Sequence, residues 1–118
     1  MIQSIIDSHK NTISDLVKVG YSFLAEGSKR IAYLSPCGKH VIKIPINHIG
    51  IMENVCEANE WRKSNKEVLA RCMMAIGYLL IMEYVDPVSG VLPQWCEEFD
   101  DQVGYNKKGK LVAYDYGC

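Results

Sequence analysis

Leu24-Ala25-Glu26-Gly27-Ser28-Lys29-Arg30-Ile31-Ala32-Tyr33, followed shortly by Val41-Ile42-Lys43-Ile44, is the most informative part of this chain. Short apolar runs alternate here with clusters of small and polar residues. Ala25 to Lys29 is one such cluster, and Ser35-Pro36-Cys37-Gly38-Lys39 is the next. Runs of this length, punctuated by Gly and Pro, read as strands joined by tight turns. The expectation is a three-strand antiparallel meander over residues 21–24, 30–34 and 40–44. Lys43 is the odd member, a lysine flanked by Ile42 and Ile44 on the central strand. Strand alternation aims it at solvent unless a partner on a packed element holds it inside.

Upstream of the meander, Ile2, Ile5, Ile6, Ile13, Leu16 and Val17 recur at helical spacing with polar residues between them. This predicts an amphipathic helix over residues 1–19 that ends near Gly20 and packs on its own domain. Its polar face mixes both signs of charge, which argues against a membrane surface. Downstream, residues 47–50 read as a break, and residues 51–64 as a helix carrying Met52, Val55, Cys56 and Asn59. Residues 68–72 extend this layer or open the next strand. Residues 77–84 read as a fourth strand, closed by a turn at 86–90. Residues 92–99 read as a short helix with Pro93 in its first turn. A hairpin comes next, 103–105 and 111–114, turning at Asn106 and Gly109. The fold class expected is α+β, an antiparallel sheet with packed helices, in one domain spanning 1–118.

Composition bounds the rest. The chain has 118 residues, of which 48% are hydrophobic and 23% charged, so it is one globular domain rather than a disordered segment. Thirteen basic residues against fourteen acidic ones give a net charge of -1, which excludes a strongly basic nucleic-acid binder. Nucleic acid is not an expected partner for that reason. Five widely spaced cysteines show no zinc-knuckle spacing. They fit a reducing cytoplasm, where buried thiols act as small hydrophobes. The longest apolar run, residues 72–82, is interrupted by Gly77 and too short to span a membrane.

A helix packed on the meander could hold Glu57 against Lys43, an arrangement that orients an ammonium toward phosphates. With this pair in view, residues 24–33 and 41–44 resemble the glycine-rich loop and lysine strand of the protein-kinase-like fold, and most resemble the divergent kinase-like proteins of bacteriophages. Asn54, Glu57 and Trp61 stand in the family's order. Leu80-Ile81-Met82-Glu83-Tyr84-Val85 is similar to the strand entering the hinge. Leu111-Val112-Ala113-Tyr114-Asp115-Tyr116-Gly117 is similar to the strand leading to the magnesium-binding motif.

The resemblance implies a kinase N-lobe over residues 21–85 and a short helix and hairpin remnant over 86–118. It implies nucleotide binding through Gly27, Lys43, Glu57, Glu83 and Val85, with metal held by Asp115 and Gln102. Ala25, Gly27 and Arg30 stand at the three loop positions where the family has glycines, and Arg30 is common there among the phage proteins. Alignment from Asp115 puts Glu97 at the catalytic aspartate position; a second alignment uses Asp101 with Asn106. The stretch from Val85 to Glu97 leaves no room for the long helices of a C-lobe.

A kinase-like fold with its C-lobe truncated in this way implies a pseudokinase-like protein. The first expectation is a non-catalytic protein that binds and modulates a host or phage protein in the cytoplasm, with no cofactor. Trp95 and the acidic run Glu97, Glu98, Asp100 and Asp101 would form its interface. The second is a minimal ATP-binding protein or Ser/Thr kinase using Lys43, Glu57 and Asp115, with Mg-ATP bound weakly. Homodimerisation would cover an exposed sheet edge.

Overall fold

A computed structural model describes residues 2–63 and 67–116. Helix α1 (Ile2–Lys18) leads into the meander β1 (Ser22–Glu26), β2 (Arg30–Leu34) and β3 (His40–Pro45), then helix α2 (His48–Lys63). Strand β4 (Cys72–Ala75), a 3-10 turn (Ile76–Tyr78) and β5 (Leu79–Glu83) come next. The chain ends in β6 (Asp86–Pro87), a 3-10 helix (Gln94–Phe99), β7 (Val103–Tyr105) and β8 (Leu111–Ala113). Five strands form one sheet in the order β1-β2-β3-β5-β4, and three form another, β6-β7-β8. Every strand pair within the two sheets is antiparallel. The α+β class and the antiparallel meander are as expected.

The core lies between the first sheet, α2 and the second sheet. Leu80 and Met82 from β5 meet Val103, Val112 and Ala113 of the hairpin and Ala58 of α2. Complete burial of a side chain such as Leu80 contributes about 1.5–3 kcal/mol. The two sheets join where the backbone of β8 brackets the segment before β4: Ala70 N donates to Ala113 O and Ala113 N to Val68 O, both at 2.8 Å.

Helix α2 starts earlier than its apolar spacing suggested. Asn47 caps it, its Oδ1 accepting from Gly50 N at 3.0 Å, so residues 47–50 are a helix entry and not a break. Gly50 sits where a Cβ would lie 2.1 Å from Lys29 O, so only glycine lets the helix press on the β1–β2 turn. Asn47 Nδ2 also donates to Ser28 O at 3.1 Å, and Ile46 N to Lys29 O at 2.9 Å. The tip of the first hairpin is thus pinned by the start of α2.

Three other readings are corrected. Residues 77–84 are not one strand: Gly77 (φ 77) and Tyr78 (φ 61) turn the chain between β4 and β5, and β4 is a separate strand. The turn at 86–90 contains β6, paired with β7. Pro93 caps the 3-10 helix at 94–99 and does not occupy its first turn. Helix α1 packs inward as expected, but through a residue the pattern hid. His9 is buried, with its ring nitrogens each 3.0 Å from a carbonyl oxygen, Pro45 O on one side and Gly77 O on the other. Among the cysteines, Cys37, Cys72 and Cys96 are free, whereas Cys56 is disulfide-bonded. The expectation of free thiols throughout is corrected there, since wide spacing in sequence says nothing of proximity in space.

Candidate functional site

The face of α2 that meets the sheet carries Gly50, Ile51, Asn54, Glu57 and Ala58, all buried at helical spacing. Two of these are polar, so the sheet must supply their partners. On β3, Lys43 sits between buried Ile42 and Ile44 and points to the same side as α2. Its Nζ donates to Glu57 Oε1 at 2.8 Å and to Tyr114 O at 2.6 Å. The pair expected from sequence forms, and Lys43 is not a solvent-facing lysine.

Arg30, at the start of β2, enters the same cluster. Its Nη1 donates to Asn54 Oδ1 and Glu57 Oε1, both at 3.0 Å. Its Nη2 donates to Glu57 Oε2 at 3.0 Å and Asp115 Oδ1 at 3.1 Å. Its Nε lies 3.2 Å from Glu53 Oε1. The four Nη hydrogens are thus all donated, and the Nε side of the guanidinium faces Glu53 as an ion pair. Glu57 accepts further from Tyr116 N at 3.2 Å, and Asn54 Nδ2 donates to Lys43 O at 3.0 Å and Tyr78 O at 2.8 Å. No buried side-chain nitrogen or oxygen among the described residues lacks a hydrogen-bond partner.

Burial alone would push the Glu57 carboxyl up; Lys43 and Arg30 overcome it and hold it down at about 2. Burial pushes the Lys43 ammonium down, with the Arg30 charge adding to the effect against the pull of Glu57. The Asp115 carboxyl is pushed up, chiefly by burial and with Glu57 contributing, against Lys43 and Arg30. Tyr116 donates to Ala70 O at 2.7 Å and lies 3.1 Å from Cys72 Sγ. Desolvation raises its phenol, so the ring is a neutral anchor for the Asp115 segment.

In front of this cluster lies a cleft of about 530 Å³. Its walls are the β1–β2 hairpin (Ala25, Gly27, Arg30, Ala32), β3 (Val41, Lys43), the end of β5 (Met82 to Val85) and the hairpin side (Gln102, Tyr114, Asp115). Gly27, Lys43, Glu83, Val85, Gln102 and Asp115 are therefore brought together on one cavity, with Glu57 behind it. The segment after β5 is fixed by backbone bonds, Glu83 N to Arg71 O and Tyr84 N to Lys39 O, both 2.9 Å. Glu83 turns its carboxylate away from the cleft to accept from Arg71 N at 2.7 Å. Gly104 of β7 lets this segment lie close, since a Cβ there would sit 2.1 Å from Asp86 O.

Other residues singled out in the sequence lie elsewhere. Glu97, Glu98, Asp100 and Asp101 are exposed, and none lines the cleft. Trp95 is half-buried against the core, edge-on to Phe99. Asn106 accepts from Lys108 N and Lys110 N, each at 3.0 Å, and so serves its own turn. Gly117 lies outside the described residues. Arg30 was expected at the start of the second strand and at the third loop position; its place at the centre of the ion cluster has no local signal beyond a basic residue at a glycine position.

The magnesium ion implied by the resemblance fits these residues poorly. Asp115, its principal ligand, already faces the Arg30 guanidinium at 3.1 Å, and Gln102 offers only a neutral amide. No group of three or more His, Cys, Asp or Glu that could hold a metal occurs among the described residues. No described helix is long and apolar enough to cross a membrane. No protein-family model matches the chain, and no curated protein shows significant similarity to it.

Proposed function

We propose that this chain is a protein-kinase-like N-lobe domain whose cleft binds an adenine nucleotide without transferring its phosphate. The carrying observation is the gathering of Gly27, Lys43, the backbone at Glu83 to Val85, and Asp115 around one cavity backed by the Lys43–Glu57 pair. A cleft of this volume suits a nucleotide-sized ligand. Lys43 is the residue positioned to meet a phosphate, because Glu57 and Tyr114 O fix its ammonium at the cleft wall.

The absence of transfer is inferred from the carboxylates that line the cleft. Glu53 is paired with Arg30 and Lys29, Glu83 with a backbone amide, and Asp115 with Arg30. Glu97 and Asp101, the residues aligned with the family's catalytic base, lie outside the cleft, so no aligned base meets a substrate hydroxyl there. The test is titration calorimetry with ATP on the native chain, Lys43→Ala and Ala32→Phe. Saturable binding that both variants lose supports the reading. Ala32→Phe narrows the cleft opposite Lys43 while keeping every charged side chain of the cluster, so it remains informative if Lys43→Ala fails to fold. No binding to the native chain at millimolar ATP overturns the reading.

A second reading, that the chain works by gripping a host or partner protein, is favoured by β1. This strand lies at the sheet edge and is exposed along its whole length, with Phe23 58% and Leu24 41% accessible. Such an edge is a template for strand addition. Phe23→Lys should abolish recovery of a bound protein from host lysate; recovery at the native level would remove β1 from the argument.

A further inference from the structure

The ion cluster bears on what form of nucleotide the cleft takes, an inference that rests on the nucleotide-binding reading above. A divalent cation at a nucleotide site uses one or two carboxylates together with phosphate oxygens. Asp115 is the carboxylate the hairpin presents to the cleft, and Arg30 Nη2 already sits 3.1 Å from its Oδ1. A cation bound there would stand within a few ångströms of the guanidinium charge.

Nor is Arg30 free to withdraw. Its other Nη donors are held by Asn54 and by both oxygens of the fully buried Glu57, and its Nε side faces Glu53 as an ion pair. Moving the guanidinium off Asp115 would break a bidentate ion pair inside the protein, where an uncompensated charge is costly. The loop position that supplies Arg30 also places its backbone against the start of α2, through Ile46 N and Asn47 Nδ2 on the neighbouring carbonyls of Lys29 and Ser28. The backbone that carries the guanidinium is therefore fixed as well.

We propose that nucleotide binding by this chain is independent of divalent metal, because the Arg30 guanidinium, bonded to Asp115 Oδ1, sets its positive charge against any cation that would use this carboxylate. Arg30 is then the residue that sets ligand form: a metal-free nucleotide, its phosphate facing Lys43, with Arg30 neutralising Asp115 beneath it. Removal of Arg30 would uncover Asp115 and restore a carboxylate to which a cation can bind.

The experiment compares ATP affinity by calorimetry in magnesium and in EDTA, for the native chain and for Arg30→Met. Native affinities that agree within about twofold support the proposal, whereas binding about tenfold tighter with magnesium overturns it. For Arg30→Met, at least about tenfold tighter binding with magnesium is expected, and metal-independence equal to the native chain overturns the role of Arg30. Water-proton relaxation with Mn2+ and ATP gives a second readout that does not need the variant to fold. No enhancement on adding native protein supports the proposal, and clear enhancement, reporting a protein-bound ternary metal, overturns it. Absence of ATP binding under every condition overturns the nucleotide reading itself. Tight but magnesium-dependent binding leaves that reading standing and removes only this inference.

Discussion

Two groups of carboxylates in this chain have opposite fates. Glu57 lies behind the cleft, wholly buried, accepting from Lys43, Arg30 and the backbone of Tyr116. Glu97, Glu98, Asp100 and Asp101 crowd one short segment and lie exposed beside the second sheet. In the sequence the second group is the more conspicuous, because four acids in five positions stand out and one glutamate in a helix does not. The structure reverses the order of importance. What gives a charge a role is the element packed against it, and α2 lies on a sheet that offers two cations at the right height.

The largest effect should come from removing the shared acceptor. Glu57→Ala leaves Arg30 and Lys43 facing each other in a desolvated space, and a loss of about 3–5 kcal/mol is expected. Against a total of about 5–15 kcal/mol for a domain, this could abolish folding. Urea denaturation would measure it. A loss under about 1 kcal/mol would mean that the cluster is far more hydrated than its geometry indicates.

A slightly smaller effect should appear with pH. The Glu57 carboxyl is held at about 2 in the fold, against an ordinary value of 4.5. Its folded value lies below its unfolded one, so the stabilisation is complete above the ordinary value and is lost as pH falls through the folded value. That difference corresponds to about 3 kcal/mol. Asp115 works in the opposite sense, because burial raises its carboxyl and its protonation favours the fold as pH falls. Denaturation midpoints taken down to about pH 2 should therefore decline, more steeply in Asp115→Asn. The same decline in Glu57→Gln as in the native chain would assign it to other groups.

Next in size is a test of how closely β6 and β7 approach within the second sheet. Gly104→Ala would place a methyl 2.1 Å from Asp86 O and 2.8 Å from Val85 Cγ1. The Asp86 backbone cannot yield without moving the segment after β5 that walls the cleft. A loss of about 2 kcal/mol is expected, together with weakened ATP binding. Thermal unfolding and calorimetry would separate the two effects, and an unchanged midpoint would show that β6 can move off β7 at no cost.

The meander, the strand entering the cleft and the final hairpin were legible because each is a short run bounded by Gly, Pro or Asn. Lys43 and Glu57 could be paired because one lay on a central strand and the other on the helix that had to cover it. The rest was hidden for physical reasons. Met73 and Ile76 are exposed in and beside β4, so Cys72 to Ala75 shows no inward-facing pattern that would mark it as a separate strand. The start of α2 was masked because Gly50 and Asn47 look like turn residues, and only a neighbouring backbone explains why they begin a helix. Arg30 was seen as a departure from glycine; where a long side chain with several rotamers ends is decided by acceptors on other elements, Glu57 and Asp115 among them.

The smallest effect should come from the conspicuous acids. Glu97 and Glu98 sit on the 3-10 helix with exposed side chains, and neither lines the cleft. Neutralising both, as Glu97→Gln with Glu98→Gln, should change stability by no more than about 0.5 kcal/mol and leave ATP affinity unaltered. If ATP affinity fell with the fold intact, Glu97 would act on the nucleotide in spite of its position, and the non-catalytic reading would weaken. If affinity held but recovery of a protein partner fell, the exposed acids would be a contact for a basic surface. In that case the conspicuous charges face outward to a partner, and the inconspicuous Glu57 faces inward to the cleft.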